Sequence, residues 1–143
     1  MPDRRHALAR IRDCAAAMLS NAMYVERELS SVTLPPELRE RTERVFSTLV
    51  GTKHDVFSEL AEYDDLVDAG ATEAELDRRL ARMVRWLGED VEELAALVRA
   101  LEEAHGADPL VGAAYVLVTE SAANVLQAYG HAAAAVMGES ESR

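Results

Sequence analysis

The chain has 143 residues, of which 29% are charged and 49% hydrophobic, and its formal net charge is −11. That length suits one domain with a real core, and the excess of acid argues against nucleic acid or an anionic membrane surface as a partner, since both demand positive charge. Aromatic residues make up only 5%, which disfavours sheet-rich folds, and the single cysteine, Cys14, allows no intrachain disulfide and fits a reducing cytoplasm. The first residues, MPDRRHALARIRDC, hold charges but no apolar run of signal-peptide length.

Residues 3–30 read as the first helix. Leu8, Ile11, Ala15, Met18, Ala22, Val25 and Leu29 recur at steps of 3 and 4, a seam that faces a neighbouring helix. Thr33-Leu34-Pro35-Pro36 starts the second helix, because proline fits a first turn whose N–H groups have no helical partner. That helix runs from about Pro36 to Val67. Its main stripe is Leu38, Val45, Leu49, Val56, Leu60, Tyr63 and Val67, flanked by Phe46, Val50, Phe57 and Ala61. Phe46 and Phe57 either fill the core or widen the apolar face into a subunit contact.

Gly70 is the natural left-handed stop, and Thr72-Glu73-Ala74-Glu75 forms a capping box for the third helix. Leu76, Leu80, Met83, Leu87, Val91, Leu94, Val98 and Leu101 make its seam. Gly106 ends it, Asp108 caps the next element, and Pro109 suits a first turn. The fourth helix, Pro109 to Met137, carries one formal charge, Glu120. Its buried side centres on Val111, Val118, Ala122, Val125, Tyr129 and Val136. Its polar groups fall on one line, Glu120, Asn124, Gln127 and His131, at spacings of 4, 3 and 4. This line interrupts the apolar run and argues against a membrane span. It is either a narrow solvated stripe or the register-setting edge of an interface. In the second case Glu120→Leu or His131→Leu changes assembly rather than folding.

These elements predict an all-α fold, an antiparallel up-down-up-down four-helix bundle with long helices. One domain covers 1–137, and 138–143 is a flexible polar tail. Charges support the register. Folding back about Gly70 sets Arg39 level with Glu102, Lys53 with Glu89, Glu59 with Arg82, and Glu62 with Arg78. Between the first two helices, Glu26 falls by Arg39, Asp13 by Lys53 and Arg5 by Glu59. Ala15 and Ala16 of the first helix meet Ala122 and Ala123 of the fourth, while Tyr129 holds that pair further apart.

Few residues converge on chemistry. The one Glu-x-x-His step, Glu102 to His105, falls at a helix end, so a carboxylate-bridged dimetal site is not expected and no cofactor is implied. One end of the bundle gathers His6, Glu62, Asp65 and His131, residue types that bind zinc or a similar ion. Glu59-x-x-Glu62 and Glu89-x-x-Glu92 resemble the acid clusters of all-helical nucleotide pyrophosphohydrolases. The register separates them by about two turns, however, and a solvated charged face is expected instead. Arg99 and His105 are spaced like the Arg and His of helical RNA-cleaving domains, but Ala100 stands where those have a polar group.

Trp86, with Arg82 and Arg85 beside it, has the composition of a binding hot spot. The expectation is therefore a cytoplasmic, non-catalytic interaction or assembly module. It self-associates as a homo-oligomer, binds a protein partner through apolar helix faces, and engages neither nucleic acid nor membrane. Two alternatives stay open: a bundle that binds a small ligand or metal, and an acidic inhibitor that occupies a basic site on another protein.

Overall fold

A computed structural model describes residues 3–138. The tail expected at its C-terminal end falls, from residue 139 on, outside the described residues. Four α-helices make up nearly all of it: α1 (Arg4–Leu29), α2 (Pro36–Asp68), α3 (Glu73–Ala107) and α4 (Gly112–Met137), the last preceded by a 3-10 turn at Pro109–Val111. No strand occurs among the described residues.

Local chemistry explains the breaks. The Asp3 carboxylate accepts from the backbone N–H groups of Arg5 and His6, and the Thr72 hydroxyl from that of Glu75 at 3.2 Å. These side chains satisfy N–H groups that no helical carbonyl reaches. At the end of α2, Gly70 has φ 81°, Ala71 N–H donates to Leu66 and Gly70 N–H to Val67. This paired closure needs a left-handed residue, which glycine adopts without steric cost. Asp108 ends α3 and accepts from Leu110 N–H at 3.0 Å, so one residue stops one helix and starts the next turn.

The helices run up, down, up and down. α1 packs on α2 and α4, and α3 packs on the same two. Among the described residues α1 and α3 also meet across one diagonal, whereas α2 and α4 do not. Small residues (Ala7, Ala15, Ala22) make up much of the buried side of α1. Arg4 ties that diagonal at one end, its Nε donating to Asp77 Oδ1 at 2.8 Å with Glu73 at 3.8 Å. At the other end the Arg39 guanidinium donates to the carbonyls of Leu29 and Val32, both at 2.7 Å. Arg39 thus closes the α1–α2 turn, where an ion pair with Glu26 or Glu102 is expected from sequence.

The core holds Ile11 and Met18 of α1, Leu49 and Val56 of α2, Leu80 through Leu101 at seam positions of α3, and Val118 and Val125 of α4. Three expectations need correction. Val67 is 49% exposed rather than buried, and Leu38 is half-buried. A stripe stepping at 3.5 residues drifts off the face of a 3.6-residue helix over four heptads, so its two ends turn outward, and Leu66 packs inward in place of Val67. Glu59 is not part of a solvated face: it is 3% exposed and accepts from Arg79 Nη1 at 2.7 Å. Its partner is Arg79 rather than Arg82, within one turn of the expected level, so the fold-back about Gly70 holds. Tyr129 packs toward α3, where its Oη lies 2.8 Å from where a Cβ on Gly88 would be, and so does not wedge α1 from α4. Phe46 is buried, and Phe57 lies on the surface under Lys53 Nζ at 5.1 Å.

Candidate functional site

α4 is the helix least matched to its exposure. Val111, Val118, Ala122 and Val125 are at most 1% exposed and face α1 and α3. The opposite side carries Val116, Leu126 and Met137, which are 51%, 38% and 62% exposed, with Ala113, Ala123 and Gly130 also outward. An amphipathic bundle helix shows charge on that side. Here the only formal charge on α4 is Glu120. The stretch Pro109–Met137 even has the length and hydropathy of a membrane span, yet only 39% of its most apolar window is buried within the bundle.

The polar line lies along one edge of this face. Glu120, Asn124, Gln127 and His131 are all exposed. They border α1: Asn124 Nδ2 donates to Asn21 Oδ1 at 3.3 Å, and Asn124, Gln127 and His131 line a notch of about 190 Å³ with Arg10 and Asp13. Within one chain the line is therefore a solvated stripe between an apolar surface and a polar seam. Ala15 and Ala122 are buried at the α1–α4 contact, while Ala16 and Ala123 face outward.

A second surface runs along α3. Arg78, Arg82 and Arg85 are exposed, and the Arg82 guanidinium stacks over the Trp86 ring at 5.0 Å. Trp86 itself is half-buried against the core. Arg79 lines a depression with Arg78, Arg82 and Arg85 but is taken up by Glu59 at 2.7 Å and Glu62 at 3.9 Å, and the hydrogen bond it donates to Glu59 raises its pKa above the ordinary arginine value. The result is a basic ridge on an acidic protein.

The metal candidates do not assemble. Among the described residues no three His, Cys, Asp or Glu side chains are placed to hold a metal ion together, so His6, Glu62, Asp65 and His131 do not form one centre. Glu62 lies instead on the α2–α3 side, by Arg79. His105 stacks on Tyr115 with ring centroids 5.5 Å apart, and its ring abuts Gly112. It packs the α3–α4 corner, and Arg99 is exposed.

Two features escaped the reading of the sequence. One is a buried polar contact at mid-bundle. Asp90 of α3 is 6% exposed and lies close enough to Thr52 of α2 for that hydroxyl to favour its charged form, and Oδ2 of Asp90 has no partner among the described residues. Burial first, and the nearby acids Glu93, Glu89 and Asp55 next, push the Asp90 carboxyl up to about 6 against the lowering by Thr52. Cys14 is fully buried, and burial together with the Asp90 charge pushes its thiol up to about 12. Leu87, Asp90, Leu94, Leu97 and Leu101 are core-spaced, so the signal was present but masked by residue type. The other is a groove of about 540 Å³ between α1 and α2, floored by Ala22, Val25, Leu29 and Phe46 and rimmed by Glu26, Arg39 and Glu43.

No protein-family model matches this chain, and neither the curated proteins nor the solved structures include a significant match to it.

Proposed function

We propose that this protein is a non-catalytic helical assembly module that self-associates and presents a second face to a protein partner. The observation that carries the reading is the outward side of α4, where Val116, Leu126 and Met137 face solvent along a helix with one formal charge. A row of that kind costs free energy in water and recovers it when covered. Asp90 and Cys14 are buried at mid-bundle, and burial holds the Cys14 thiol protonated, which does not favour chemistry by either. The Arg78, Arg82 and Arg85 ridge beside Trp86 supplies the second face and suits an acidic segment of a partner protein. Sedimentation equilibrium on wild type and Val116→Asp tests the first part. Wild type should associate with rising concentration and the variant should remain monomeric with unchanged helicity. Equal association of both would remove α4 from the reading.

A second reading rests on the α1–α2 groove. Its volume lies within the range of small-ligand sites, and its apolar floor below a rim of Glu26, Arg39 and Glu43 fits a small amphipathic molecule. Native mass spectrometry of untagged protein separates the readings. A retained mass on a concentration-independent monomer supports the ligand, and a dimer without added mass supports assembly.

A further inference from the structure

We infer that the partner covering α4 is a second copy of this chain, its α4 antiparallel to the first about a two-fold axis that passes level with Val125 and Leu126. This inference rests on the assembly reading and adds its geometry. The spacings of the polar line, 4, 3 and 4, read the same in both directions. Glu120 and His131 therefore share a midpoint with Asn124 and Gln127, between Val125 and Leu126.

In an isologous contact each residue meets the residue that lies equally far on the other side of the axis. When two antiparallel helices pack about such an axis, like edges face each other. The polar edge of one copy meets the polar edge of the other. Glu120 then faces the partner's His131, and Asn124 faces the partner's Gln127. Each contact occurs twice. The pairs are complementary, acid with imidazole and amide with amide. A parallel arrangement, whose two-fold axis runs along the helices, sets the polar edge of each copy against the apolar Leu126 edge of the other and leaves Glu120 without a complementary group.

The remaining exposed residues fit the same axis. Leu126, 38% exposed on the far edge, lies next to the midpoint and comes close to its own copy. Val116 falls within one residue of the level of the partner's Ala134, a large residue against a small one. Ala123 and Gly130 along the centre leave room for close helix approach. Thus charge, amide pairing and apolar bulk share one register, and the axis selects the antiparallel orientation as well as the partner.

The test uses Glu120→Lys and His131→Glu, both at exposed positions, in the full chain, with one variant labelled with ¹⁵N so that native mass spectrometry distinguishes the species. His131→Glu alone sets acid against acid at both contacts and should weaken the dimer about three- to tenfold. Glu120→Lys alone should weaken it less. In a mixture of the two variants, one contact of the heterodimer pairs the introduced lysine with the introduced glutamate. The other contact keeps the native pair of Glu120 with His131. The heterodimer should therefore exceed the statistical half of all dimers. Unchanged far-UV circular dichroism confirms that each variant folds. Dimers that ignore both substitutions and mix statistically would overturn the axis and leave self-association standing. A wild type that stays monomeric from about 1 µM to about 1 mM would overturn both.

Discussion

Arg79 Nη1 reaches Glu59 Oε1 at 2.7 Å and joins α3 to α2 at a point where the carboxylate side chain is only 4% exposed. The same guanidinium lies 3.9 Å from Glu62, whose side chain is 63% exposed. One arginine thus serves an inner and an outer acid. Removing it leaves the inner one charged without a partner. Burying an unpaired carboxylate costs far more than losing a surface pair. Arg79→Ala is therefore expected to lower the urea midpoint at least about twice as much as Glu62→Ala. Equal effects would place the tie at the surface.

Asp90 makes stability depend on pH in an unusual direction. Its carboxyl titrates at about 6 in the fold, against an ordinary value near 4 in the unfolded chain. The folded state therefore holds a proton that the unfolded state has released between those values. Asp90 costs nothing below pH 4, and the cost grows as pH rises to 6. Asp90→Asn is expected to match wild type near pH 4 and to exceed it by about 1–2 kcal/mol at pH 7.5, after allowance for solvent screening. Urea titrations of both proteins at the two pH values measure this. A variant less stable than wild type at pH 7.5 would show that the Thr52 contact outweighs burial.

Gly51 and Gly88 should respond differently to alanine. No atom lies within 4 Å of a Cβ placed at Gly51, so Gly51→Ala is expected to stabilise by roughly 0.5–1 kcal/mol through helix propensity. At Gly88 the new methyl group meets Tyr129 Oη at 2.8 Å and Cζ at 3.2 Å. Gly88→Ala should gain less than Gly51→Ala or lose stability, and adding Tyr129→Phe should return part of the deficit. Thermal melts of wild type and the three variants read this directly.

Cys14 should behave as a reporter of opening. Its thiol is fully buried and pushed up to about 12, so little thiolate exists at neutral pH and no reagent has access. Labelling with an aromatic disulfide reagent at pH 8 is expected to be negligible in buffer and to rise through the urea transition. Complete labelling of the native protein within minutes would mean that α1 opens locally.

The sequence made the helices and their seams legible because apolar spacing and the breaks at Pro36, Gly70 and Asp108 are local signals. It also placed the polar line of α4, since four polar residues in an apolar run are visible without any structure. Glu59 and Asp90 were not legible. Both occupy core-spaced positions, after Val56 and Leu87 respectively, but an acid at a seam position reads as a surface residue until its partner is known. Arg79 lies 20 positions from Glu59, and three arginines compete for the same level. The outward turn of Val67 arose from accumulated drift along α2, which is invisible in any single heptad. The basic ridge required knowing that Arg79 is taken up by Glu59 and Glu62 while Arg78, Arg82 and Arg85 are exposed.

The packing of α1 on α4 has a consequence for how the chain comes into being. These are the two helices furthest apart in the order of synthesis. When α1 emerges, Ala7, Cys14 and Ala15 have no α4 to meet, and α2 and α3 form their hairpin about Gly70 in the meantime. The sides of α1 and α3 that α4 covers therefore stay uncovered until α4 has been made. That helix is also the one whose other side remains apolar after it docks. Docking of α4 therefore both covers α1 and α3 and sets out the apolar side on which the proposed self-association rests.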